Sequence, residues 1–183
     1  GQDIDGESSD DWSGYSVSLS NNGNIVAIGA PYNDGNGSSS GHVRVYENIG
    51  GSWFQIGQNL NGDVAGDRFG WAISINAGGN TLAISAPFND YNFAESGLVR
   101  IFEYYGGSWT PIGQDVEGES NGDWNGISVS ISDNGSLVAI GSYENDNSFP
   151  EAGDVKIFSD TPPCFDLGCL DPLALNFDPY ATL

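Results

Sequence analysis

One phrase of this chain recurs three times at a constant interval. Gly1-Gln2-Asp3-Ile4-Asp5-Gly6 returns as Gly57-Gln58-Asn59-Leu60-Asn61-Gly62 and again as Gly113-Gln114-Asp115-Val116-Glu117-Gly118, each 56 residues after the last. Ile25 to Pro31 matches Thr81 to Pro87 and Leu137 to Tyr143 in the same register. A repeat of this length is one supersecondary unit, which cannot bury its apolar surface alone and must stack on neighbours. The 27 glycines recur in phase with the repeat, so they mark turns and not disorder.

The first unit reads as four short strands. Tyr15 to Ser20 alternates apolar and small polar residues, the period of a strand. Asn21-Asn22-Gly23-Asn24 is a hairpin signal, because Asn and Gly accept positive φ. Ile25 to Ala30 is a continuous apolar run, suited to a strand covered on both faces. A long loop, Tyr32 to Gly41, leads to a third strand, His42 to Glu47, and Trp53 to Gly57 begins a fourth. The expected fold is all-β: three four-stranded antiparallel blades of a β-propeller at about 1–56, 57–112 and 113–158. The small Ser side chains place the alternating strand innermost, with Trp53 and Trp109 on the outermost.

Propellers usually have four to eight blades. Three therefore predict either further blades outside this chain or a ring completed by oligomerisation. The third unit has Ser159-Asp160-Thr161-Pro162-Pro163 in place of a Trp-containing fourth strand, and residues 1–6 read as the tail of such a strand, available to complete it by exchange. Residues 159–183 form a separate Pro- and Cys-containing tail.

The net charge of −21 arises from 25 acidic residues against Arg44, Arg68, Arg100 and Lys156. Such a surface repels nucleic acid and anionic lipid, and no 18-residue apolar run predicts a membrane span. It suits a salty exterior and attracts divalent cations.

Gly66-Asp67-Arg68-Phe69-Gly70, followed by an alternating strand and then Ala86-Pro87, resembles the FG-GAP repeat of integrin-α-type propellers. Asp11-Trp12-Ser13-Gly14 and Asp123-Trp124-Asn125-Gly126 stand at the same step in the other units. The segment Gly168 to Thr182 resembles the start of a short Cys-rich module of Bacteroidetes surface proteins, which commonly carry a type IX secretion signal. The resemblance implies an extracellular or cell-surface location and a disulfide role for Cys164 and Cys169.

The long loops share one face of the disc, and binding residues concentrate on such loops. They predict ligand contacts from Trp12, Tyr32, Asp34, Phe88, Asp90, Tyr91, Trp124, Tyr143 and Asp146. In the competing reading the Asp residues build Asx-turns and the aromatics pack between blades. Calcium is the expected cofactor, drawn from Asp3, Asp5, Asp11, Asp67, Asp115, Glu117 and Asp123. The integrin-type loop does not carry over, since Asn21 to Asn24 and its counterparts are short and poor in acid. His42 is the sole histidine, its counterparts are Leu98 and Asp154, and no hydroxyl lies in a nucleophile motif. The expectation is therefore a non-catalytic adhesion segment binding glycan or protein, with a structural or self-assembling repeat as the alternative.

Overall fold

The computed structural model describes residues 2–145, 149 and 152–159. Cys164, Cys169 and Asp146 lie outside them, and with them the disulfide and one of the expected ligand contacts. Among the described residues there is no helix, and the strands form three antiparallel sheets.

In the first sheet β1 (Ser16–Leu19), β2 (Ile25–Ala30), β3 (His42–Ile49) and β4 (Ser52–Gln55) lie side by side in chain order, and β5 (Leu60–Asn61) returns to pair with β3. In the second, β6 (Ile73–Ile75), β7 (Thr81–Ala86), β8 (Leu98–Tyr105) and β9 (Ser108–Glu117) repeat the order. Here β9 covers continuously what β4 and β5 cover in two pieces, with an irregularity between Val99 and Ile101. The third sheet has β10 (Ser128–Ile131), β11 (Leu137–Ser142) and β12 (Asp154–Ser159). The arrangement is propeller-like.

The second strand of each unit is apolar on both sides because both sides are covered. In β7, Leu82, Ile84 and Ala86 face a core shared with the first unit, including Val43, Phe69 and Trp109. Ala83 points the other way, into a core with Val138 and Ile140 of the third. Trp109 is 1% exposed, and its indole Nε1 donates to the Ile56 carbonyl of the preceding unit. Position in the stack governs burial. Ile73 and Ile75 are buried, whereas their counterparts Val17 and Leu19 are 63% and 58% exposed.

The units are also stitched by polar bonds that recur at the repeat spacing. The amide of Ile75 donates to Ser18 Oγ at 3.1 Å, and that of Ile131 to Ser74 Oγ at 3.0 Å. Asn21 N donates to the Ala77 carbonyl, and Ala77 N to that of Asp133, both at 3.1 Å. The loop entering each new unit lies on the long loop of the one before: Phe69 N donates to Ser40 O and Asn125 N to Ser96 O, both at 2.9 Å. Residues 2–6 form no strand. Instead Gln2 Oε1 accepts from Trp53 N and the Asp5 carbonyl from Arg44 Nη2, so this segment lies beside its own first unit.

One cross-strand pair explains a difference between units. Ser16 faces Gly29 and Ser128 faces Gly141. In the middle unit the hydroxyl changes sides: Ser85 stands opposite Ala72 and bonds its amide and carbonyl. A Cβ at Gly29 would meet Ser16 Oγ and the Gly70 carbonyl. Gly29→Ala is therefore expected to cost about 1–3 kcal/mol by overpacking. Adding the exchange found in unit two, as Ser16→Ala with Gly29→Ser, should recover part of that loss in urea unfolding. A double variant no more stable than the single one would refute this account of the seam.

Candidate active site

The acids of the entry loops serve first as local braces. Asp11 Oδ2 accepts from Ser8 N and from Asn33 Nδ2, the latter at 2.9 Å. Asp67 Oδ2 accepts from Asn89 Nδ2 at 3.0 Å, and Asp123 Oδ2 from the amides of Glu119 and Ser120 at 2.8 Å. All three are buried. Asn33 Oδ1 and Asn89 Oδ1 each accept an amide two residues on, the Asx-turn geometry. Asp34 and Asp90 close the next turn by accepting from Ser39 N and Glu95 N. Burial raises the pKa of Asp67, with hydrogen bonds from Asn89 and Val64 opposing the rise.

The seven acids expected to ligate calcium are thus dispersed. Asp11, Asp67 and Asp123 brace three different loops, and Asp115 is paired with Arg100. Asp3 and Asp5 lie in the N-terminal segment, and Glu117 accepts from Asn92 Nδ2. Among the described residues no three His, Cys, Asp or Glu side chains gather as a metal site.

The aromatic residues do come together. Tyr32 and Trp12 have centroids 4.3 Å apart, and contacts at 4.7–6.2 Å carry the series through Tyr15, Trp71, Phe88 and Trp124 to Tyr143. This band crosses all three units on the long-loop face. Tyr91 is exposed and lies outside it, at the wall of a polar cleft.

Clefts form where each third strand meets the entry loops. In unit two a cleft of about 820 Å³ is walled by Asp63, Asp67, Asn89, Asp90, Arg100, Asp115 and Glu117, among others. Arg100 is committed to its walls. Its Nε and Nη2 clasp both Asp115 oxygens at 2.8 and 2.6 Å, and Nη2 also reaches Asp63 at 2.9 Å. These contacts raise the guanidinium pKa further.

The corresponding cleft of unit one, about 400 Å³, differs in one respect that bears on chemistry. His42 stands where unit two has Leu98. It is 1% exposed, and its Nδ1 lies 3.7 Å from Glu7 Oε2. Glu7 Oε1 is in turn 3.7 Å from Arg44 Nη1. Asp11, Asn33, Asp34, Asn59 and Asn61 complete the wall. Burial lowers the imidazole pKa below its ordinary 6.5, and Arg44 adds to the fall, while Glu7 and Asp11 pull it up. The ring is therefore neutral at pH 7, the state a general base requires. Arg44 Nε is buried without a hydrogen-bond partner among the described residues.

Sequence reasoning set His42 aside because it has no counterpart in the repeat. The position holds His42, Leu98 and Asp154 in turn, so the repeat sets no common residue there.

Residues 4–46 form an FG-GAP repeat. No curated protein matches the chain. Among solved structures, it is similar to a candidate 6-phosphogluconolactonase from Bacteroides uniformis, at 16% identity over 78% of this chain and 35% of that one, with a TM-score of 0.53. Two others are the periplasmic gluconolactonase of Pseudomonas aeruginosa (18% identity, 79% and 38% covered, TM-score 0.46) and a candidate 6-phosphogluconolactonase from Bacteroides fragilis (14%, 78% and 41%, 0.47). The chain spans less than half the length of each, and the likeness is one of fold.

These neighbours correct two expectations. The fold it resembles at a TM-score of 0.53 is that of a candidate 6-phosphogluconolactonase, so the reading as a non-catalytic adhesion segment is withdrawn. The expectation of no enzyme is withdrawn with it. It rested on a missing nucleophile motif, and hydrolysis by activated water needs a base beside a water, not a nucleophilic side chain.

The folded His42 binds a proton less readily than the unfolded one, because its pKa is lowered. Its contribution to stability is therefore complete above the unfolded value of 6.5 and is lost as pH falls through the folded pKa. Urea midpoints measured from about pH 8 to about pH 5 should fall more steeply for the wild type than for His42→Leu. Parallel slopes would show that His42 titrates normally.

Proposed function

We propose that the chain is part of a lactonase-type β-propeller and that the unit-one cleft hydrolyses the ester of a small polyhydroxylated lactone. The observation that carries this reading is the buried, neutral His42 at the wall of a polar cleft, with Glu7 beside its Nδ1. The fold likeness to a candidate 6-phosphogluconolactonase supports it. On this reading the three units are consecutive blades of a longer ring, and the acidic surface belongs to a protein working outside the cell.

The chemistry asked of the cleft is modest. His42 takes a proton from a water as the water oxygen attacks the lactone carbonyl carbon. The tetrahedral oxyanion collapses, the ring C–O bond breaks, and the departing alkoxide takes the proton from His42. The product is a hydroxy acid, ionised at neutral pH. Glu7 orients the imidazole and stabilises its transient positive charge, the part a carboxylate plays beside a catalytic histidine. The amides of Asn33, Asn59 and Asn61 offer donors and acceptors to substrate hydroxyls.

Leu98 shows that a leucine fits the position, so His42→Leu should fold. Base-catalysed proton transfer contributes about 10²–10⁴-fold. Proton release from glucono-lactone should exceed the spontaneous rate in the wild type and fall by about two orders of magnitude or more in His42→Leu. On acidification the rate should decline at a lower pH than an imidazole of ordinary pKa would give, because burial lowers that of His42. A wild-type rate equal to the spontaneous one, or an undiminished variant, would refute the assignment.

A further inference from the structure

Arg68 is set apart from the other basic residues. Arg44 meets Glu7, Arg100 clasps Asp115 and Asp63, and Lys156 bonds Glu119 at 2.7 Å. In a chain with 25 acidic residues, the Arg68 guanidinium has no carboxylate partner among the described residues. It lies instead over aromatic rings, 4.2 Å from the centroid of Phe88, 5.1 Å from Tyr32 and 5.8 Å from Trp71.

Three features converge on this group. The first is backbone geometry. Trp12, Arg68 and Trp124 occupy equivalent repeat positions, and all three hold left-handed φ values of 53°, 55° and 49°. Such φ values are uncommon for large side chains, and at this step they set the side chain against the aromatic band. The second is substitution within the repeat: the middle unit places a cation where both flanking units place an indole. The third is valence. Stacking occupies the faces of a guanidinium and leaves its N–H donors in the plane. Those of Arg68 donate to no acceptor among the described residues, although such donors suit the two oxygens of a carboxylate.

We propose that Arg68 and the flanking rings form a binding site for a small monocarboxylate with a flat apolar body. The carboxylate meets the edge of the guanidinium while the apolar body lies on the exposed rings, of which Trp12 is 55% exposed. The net charge of −21 favours a singly charged ligand, since a dianion meets twice the long-range repulsion. The site involves neither His42 nor its cleft, and stands or falls independently of the hydrolytic reading.

The probes are benzoate and its neutral isostere benzamide, followed by ligand-observed NMR titration against the whole chain. Benzoate should bind saturably and about tenfold or more tighter than benzamide. Acetate, which lacks the apolar body, and inorganic phosphate should bind more weakly than benzoate. Arg68→Asn, whose side chain accepts left-handed φ, should erase the preference for benzoate over benzamide. Arg68→Lys should retain part of it, because a point charge replaces the planar fork. The benzoate–benzamide comparison requires no variant, so it stands even if a substitution perturbs the fold. Equal affinities, no saturation, or a preference unchanged in Arg68→Asn would overturn the proposal. Phosphate binding more tightly than benzoate would overturn the monocarboxylate assignment.

Discussion

The structure depends on the seam between consecutive units. A four-stranded sheet of this size has two faces to cover and too few residues to cover them itself. Each unit therefore borrows one face from its neighbour, and the borrowing is made specific by polar bonds at fixed repeat positions: a serine hydroxyl to the next inner strand, and an entry loop lying along the preceding long loop. Apolar burial is non-directional and would tolerate sliding. The hydrogen bonds do not, because a shift of one residue would leave buried donors unpaired at about 1–3 kcal/mol each.

The same seam explains why function is sought in departures from the repeat. Asp11, Asp67 and Asp123 are committed to bracing loops and Arg100 to its carboxylates, and two other side chains stand at positions the repeat does not duplicate. His42 replaces a leucine at a cleft wall, and Arg68 replaces an indole in an aromatic band. Each is held by the symmetric scaffold in a setting its counterparts do not share. The scaffold thus positions chemistry without containing it.

Much of the fold was legible. The interval of 56 residues fixed the unit, the apolar run Ile25 to Ala30 gave β2 to the residue, and Asn21 to Asn24 marked the first hairpin. The division of the fourth strand into β4 and β5 was not legible, because the break at Gly57 and Gln58 depends on packing against Trp109 of the next unit. Nor was the placement of residues 2–6, since tertiary hydrogen bonds from Trp53 and Arg44 decide it. At the candidate site, Trp12, Tyr32, Phe88, Trp124 and Tyr143 lie in one aromatic band, with Tyr91 outside it. The acids were read as ligands although turn chemistry at Asp34 and Asp90 was equally written in the sequence. The burial of His42 was not legible, because its position holds Leu98 and Asp154 in the other units.

A junction that is chemically the same wherever it occurs leaves the number of units unspecified by any one of them. Deleting or duplicating a whole unit recreates the same hydroxyl, the same amide and the same loop-on-loop contact at the new join. An insertion of a single residue recreates none of them. Change in length is therefore quantised for a chain of this kind: it can grow or shrink by 56 residues more easily than by one, and each added copy arrives free to exchange a leucine for a histidine.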